Sequence, residues 1–129
     1  MPITIDWANE ERTIILETFG PQWTWNEFMN ASVVKSMMME AVGHRVDVIA
    51  DARNTTLPPG AVQSIPYVVE NAACYSHPNG GAYIVVGGSP LIEAFARIYA
   101  RTYLENGRRL LFAETIDEAL ALLTGQMVA

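Results

Sequence analysis

Three strand-like runs, each followed by a break and a helix-length segment, constrain this chain more than any other feature of it. The first, Val46-Asp47-Val48-Ile49-Ala50, is short, apolar and β-branched, as expected of a strand buried on both faces. The others cover residues 82–86 and 109–113. Strands that alternate with helices must pair in parallel through right-handed crossovers. Two earlier runs, 3–7 and 13–18, flank the polar, turn-like Ala8-Asn9-Glu10-Glu11 and read as a hairpin. The predicted order is ββαβαβαβα. With 129 residues the chain suits one domain, an α/β sandwich whose mixed, mostly parallel five-stranded sheet is covered by about four helices.

The helix boundaries carry their own signals. Gly20-Pro21 breaks the second strand, and Thr24-Trp25-Asn26-Glu27 then matches a capping box. Phe28, Ala31, Val34, Met38 and Ala41 follow at helical spacing and predict the buried face. Gly43 is expected to end this helix in the left-handed conformation. The second helix starts near Ala61 and kinks at Pro66, or it begins with Ser64 as cap and Pro66 in its first turn; it runs on to Tyr75. Ser89 and Pro90 are a natural cap and first residue for a third helix reaching about Glu105, ended by Asn106-Gly107. Thr115-Ile116-Asp117-Glu118 is a second capping box, and Gly125 ends the fourth helix.

Composition narrows the function classes. Half of the residues are hydrophobic and 17% are charged, which permits a sizeable core and argues against disorder. The formal charge of -6 disfavours phosphate backbones and anionic lipid surfaces, so no nucleic-acid role is expected. Arg97, Arg101, Arg108 and Arg109 are the candidates for a basic patch, but Glu93→Arg97 and Arg101→Glu105 are spaced for intrahelical ion pairs. The single cysteine, Cys74, excludes an intramolecular disulfide and reads as a buried, structural residue. The start of the chain lacks the basic and apolar regions of a signal peptide, and no apolar run approaches the roughly 20 residues that cross a bilayer. A cytoplasmic protein without stable membrane insertion is expected.

Few residues form a chemical constellation. Cys74 and His77 lie too close in sequence to resemble a nucleophile assembled from distant segments. His44 and His77, both past helix ends, have no metal-ligand spacing, so neither a metal nor another cofactor is expected. Gly87-Gly88-Ser89-Pro90 lacks the lysine of a P-loop and reads as a turn and cap. The aromatic set is more informative. Trp23 and Trp25 bracket a helix start, Tyr67 and Tyr75 lie on the next helix, and Met29, Met37, Met38 and Met39 add adaptable apolar surface. Tryptophans on both sides of a cap are not expected to face inward together; the set reads first as core packing with a staple at the helix entry, and otherwise as the lining of a pocket or a partner-binding face.

The element order resembles that of the STAS family, named for sulphate transporters and anti-sigma factor antagonists, and of its lipid-binding relatives. Leu110-Leu111-Phe112 followed by Glu114-Thr115-Ile116-Asp117-Glu118-Ala119-Leu120 is similar to the family's final strand and its "sleeAl"-like helix. Val48-Ile49-Ala50-Asp51 resembles its "vvlDl" strand. Members switched by phosphorylation carry a "DSSG"-like step, where this chain has Leu57-Pro58-Pro59-Gly60, with a matching glycine but no serine. The resemblance implies a non-enzymatic regulatory or binding module that acts by protein contact, with a homodimer as one form. Its surface would comprise Asp51, Arg53, Asn54, Thr55 and Thr56, at the carboxyl edge of the central strand. A second reading, drawn from the residues, is a binder of a small apolar ligand or lipid, or a small enzyme, with a pocket between the first two helices. Trp23, Trp25, Tyr67 and His77 would shape that pocket, and Arg53 could hold an acidic group through its fork of donors.

Overall fold

The computed structural model describes residues 2–61, 63–64, 66–67, 77–99, 101 and 108–125. Five strands form one sheet: β1 (Ile3–Trp7), β2 (Ile14–Phe19), β3 (Val46–Asp51), β4 (Gly80–Val86) and β5 (Leu110–Ala113). Their spatial order is their chain order, β1-β2-β3-β4-β5. β1 and β2 pair antiparallel, and every other pair is parallel. This is the mixed, mostly parallel α/β sheet expected from the alternation of elements. The helices among the described residues include α1 (Trp25–Glu40), α2 (Pro90–Tyr99) and α3 (Ile116–Thr124).

The helices cover opposite faces. α1 and the buried side of α2 (Ile92, Phe95, Ala96) share a core with Ile15, Phe19, Val48, Tyr83 and Val85. α3 covers the other face, where Ala119 meets Ile14, Ile49, Ile84, Val86 and Ala113. The strand period of two explains the division, because consecutive residues of β3 and β4 feed alternate faces and nearly all are buried.

Several local features follow the sequence. Thr24 and Glu27 make both halves of the capping box at 3.1 and 2.8 Å. Ser89 accepts from the Ile92 amide at the start of α2, and Gly125 ends α3 in the left-handed conformation. In the β1–β2 turn, the Asn9 side chain accepts from the amides of Thr13 and Ile14, which holds Arg12 at a φ of 57°.

Others differ. The buried side of α1 is Phe28, Ala31, Ser32, Lys35 and Met39, whereas Val34 is 43% exposed and Ala41 is also outside. The helix is therefore rotated from the apolar face that its periodicity predicts, because the sheet beneath it offers an acid. Nor does Gly43 adopt a left-handed φ. The end of α1 is closed from a distance, by the Asn79 side chain donating to the Met39 and Val42 carbonyls at 2.9 and 3.0 Å. At α3 the Thr115 hydroxyl accepts from Glu118, but the Glu118 carboxylate takes the Glu114 amide, so the reciprocal half of the box is shifted by one residue.

The expected second helix begins at Ala61. The Ser64 amide already donates to the Gly60 carbonyl at 3.0 Å, so Ser64 is inside the helix and is not its cap. Most of its remaining length, with Cys74 and Tyr75, lies outside the described residues, as do Glu105 and Asn106-Gly107. Among the described residues no helix is long and apolar enough to cross a membrane.

Candidate functional site

The turn after β3 meets the start of α1 at the carboxyl edge of the parallel strands. Two tryptophans fasten them together. Trp23 Nε1 donates to the Thr55 hydroxyl at 2.8 Å, and Trp25 Nε1 donates to the Pro59 carbonyl at 3.1 Å. Contrary to the expectation for residues flanking a cap, both indoles join the same cluster. Their centroids are 5.0 Å apart, Trp23 stacks on Phe28 at 5.4 Å, and Trp25 reaches Phe95 at 5.3 Å. The extended backbone of Thr24 turns the chain between the two rings, so residues on either side converge on the helix's first buried position.

Beneath this clamp lies an apolar cavity of about 50 Å³. Phe19, Trp23, Phe28, Tyr83, Ile92 and Phe95 supply most of its wall, with Ala50 and Ala52 as floor and Thr55 and Leu57 from the turn. Outside the clamp is a surface cleft of about 520 Å³ between residues 21–27 and 56–59. Trp23 and Leu57 border both spaces, so these two side chains are the partition between interior and surface.

Asp51 and Arg53 form a separate unit beside the clamp. Asp51 Oδ1 accepts from the Arg53 amide (3.2 Å) and Nε (2.9 Å), while Oδ2 accepts from Nη2 (2.8 Å). The bonds from the Arg53 side chain, above all, hold the Asp51 carboxyl below the usual carboxylate range, against the opposing effect of burial. Arg53 is correspondingly raised by the same bonds. Gly87, at a φ of 68°, makes room for this arginine, because a Cβ there would sit 2.5 Å from Arg53 Cγ. The fork that could have held an acidic ligand is thus turned onto Asp51.

The remaining candidates are dispersed. Asn54 and Thr56 are exposed on the turn, and Tyr67 is 58% exposed; none of the three lines the cavity. His77 sits at the opposite, amino edge of the sheet. Its Nδ1 accepts from the Asn79 amide, which leaves the proton on Nε2 for Glu40 Oε2 at 2.8 Å. Arg108 donates to the His77 carbonyl there. The structure therefore joins Trp23, Trp25 and Thr55 into one site, places Asp51 and Arg53 next to it, and puts His77 elsewhere. Arg97 pairs with Glu93 as its spacing suggests and also covers the Phe112 ring at 4.5 Å.

Sequence reasoning missed a buried polar group under α1. Lys35 Nζ donates to Glu17 Oε1 at 2.8 Å, with the two side chains 1% and 0% exposed. The Tyr83 hydroxyl donates to the same oxygen at 3.1 Å, and the ammonium lies 5.3 Å from the Tyr83 ring centroid. A signal existed: Glu17 occupies a strand position whose neighbours at 15 and 19 are Ile and Phe, so it shares their inward face. Among the described residues no three His, Cys, Asp or Glu side chains gather where they could hold a metal ion. Comparison with models of known protein families, with curated proteins and with solved structures finds no match to this chain.

Proposed function

We propose that the chain is a non-enzymatic binding module of STAS-like fold, and that its ligand is a small apolar molecule taken up under the 52–60 turn. The apolar cavity behind Trp23 and Leu57 carries this reading. Its wall includes Phe19 and Ala50 from the carboxyl ends of β2 and β3 and the turn that follows β3, the side on which open α/β sheets bind their ligands. Its own volume is below the ~300 Å³ at which drug-sized pockets begin, so a ligand would displace Leu57 and extend into the outer cleft. The polar groups that border it are already engaged, Thr55 by Trp23 and Tyr83 by Glu17, which suits retention of a ligand better than turnover.

The test is a titration with xenon, an apolar probe of suitable size, followed by methyl NMR of Leu57 and Ile92. Saturable shifts at both residues are expected, and they should vanish in Ala96→Met, which fills the cavity from α2. Shifts that are linear in xenon and unchanged by the substitution would refute the reading.

A second reading, contact with a protein partner, is favoured by the two indole hydrogen bonds. They make the turn and the first turn of α1 one fixed surface from which Arg53 and Asn54 project. Native mass spectrometry of the purified chain separates the two readings, and a homodimer, by mass.

A further inference from the structure

Glu17 is more than one half of an ion pair. Lys35 and Tyr83 both donate to Oε1, and the second oxygen, Oε2, is fully buried with no hydrogen-bond partner. A carboxylate oxygen in that position forfeits its hydration without replacement, which folded proteins seldom tolerate unless another molecule supplies the donor. Glu17 is not itself in the cavity wall, but its neighbours in the sheet are. In the register of the sheet Glu17 faces Ala50 directly, and Phe19 is the next residue of β2 on the same face. Ala50, Phe19 and Tyr83 all line the cavity. Its partner on β3 is an alanine, so at that position of the wall the side chain is a single methyl group. No other buried side-chain oxygen or nitrogen among the described residues is left unpaired, so the one orphan acceptor belongs to a residue whose sheet neighbours form the cavity wall.

From this geometry we infer that Glu17 Oε2 is the polar anchor of the cavity, and that the ligand is a small neutral molecule carrying one hydroxyl group on an apolar body. Charge selects the neutral donor. Glu17 and Lys35 together are neutral, so a ligand ammonium would leave one uncompensated positive charge in a dry site, and a ligand carboxylate one negative charge. A pure hydrocarbon would fill the space but leave the oxygen orphaned. An alcohol satisfies both requirements, because its hydroxyl donates to Oε2 while its carbon chain lies against Phe19, Phe28 and Tyr83. The inference rests on the cavity being a binding site and adds the chemical class of its occupant.

Four three-carbon probes of similar shape test it: 1-propanol, 1-fluoropropane, propionate and propylammonium, each titrated against the whole chain and followed by methyl NMR of Leu57 and Ile92. 1-Propanol is expected to bind at least tenfold more tightly than any of the other three. In the double variant Glu17→Leu/Lys35→Met, which removes both charges together, the alcohol and the fluoride should bind within about twofold of each other. Xenon uptake by the same variant confirms that its cavity persists. If 1-propanol and 1-fluoropropane bind the native chain equally, the inference is overturned while the apolar-ligand reading stands. A preference that survives in the double variant likewise overturns it. If neither those probes nor xenon bind, the reading itself has failed and the inference with it.

Discussion

Beneath α3 the sheet presents Ile14, Ile49, Ile84, Val86 and Ala113, and the acids on that face of β3 are confined to its ends. Asp47 and Asp51 each meet an arginine two residues away, Arg45 and Arg53, whose side chains extend to solvent. Asp47 also takes the Ala82 amide at 2.7 Å. Beneath α1 the acid is mid-sheet. Glu17 lies between Ile15 and Phe19, and its cation comes from a helix 18 residues away in the chain. An acid at a strand end is neutralised locally and cheaply. One at the centre of a sheet has no exposed neighbour, so the covering element must bring the charge, and the face around it packs around a polar centre and a cavity. The α3 face is thus a structural core, and the α1 face is the one on which binding is expected.

The sharpest way to test that contrast is to remove Lys35. Lys35→Met leaves a buried carboxylate unpaired and should cost about 3–5 kcal/mol of stability, measured by urea unfolding. Glu17→Leu/Lys35→Met should recover most of the loss, because replacing both charges restores an apolar interior. If the single variant were as stable as the native chain, the α1 face would not be organised around the pair.

On the opposite face Ile84→Ala should cost about 2–5 kcal/mol, set by the cavity it opens in a well-filled cluster. Ile92→Ala, beside the existing cavity, should cost less by the same measurement, because less packing is lost there. Equal losses would remove the distinction in packing between the faces.

The smallest effect concerns pH. Because Arg53 lowers the folded pKa of Asp51, their pair contributes stability above the unfolded carboxylate value of about 4. That contribution is lost as pH falls through the lower, folded value. Asp51→Asn should therefore flatten the acid side of the stability profile and leave the slope between pH 6 and 8 unaltered. A profile that still falls as steeply below pH 4 would show that the pair lacks this linkage.

Comparison of the two faces also explains what the sequence revealed. The strands were legible because β-branched runs between turn signals need no knowledge of the partner. The caps at Thr24 and Ser89 were legible because their bonds span only three residues. The buried face of α1 was not, since apolar periodicity assigns a lysine to solvent and cannot see the carboxylate it will meet. Asn79 closes α1 from about 40 positions away, a bond that no local pattern encodes. The turn from Asp51 to Gly60 reads as a candidate surface, but the cavity behind it is assembled from six of the strands and helices together with the turn. Its residues look like ordinary core when read one at a time.

Burying Lys35 against Glu17 has a consequence for the alternatives that the fold excludes. Sliding α1 by one turn would bring Ala31 or Met39 over the carboxylate and move the ammonium onto hydrocarbon, separating two charges in a dry interior. Apolar helix faces can slip past one another at little cost, whereas this displacement would be opposed by the desolvation of both ions. The pair therefore fixes the register of α1 on the sheet, and with it the position at which Trp23 and Trp25 reach Thr55 and Pro59.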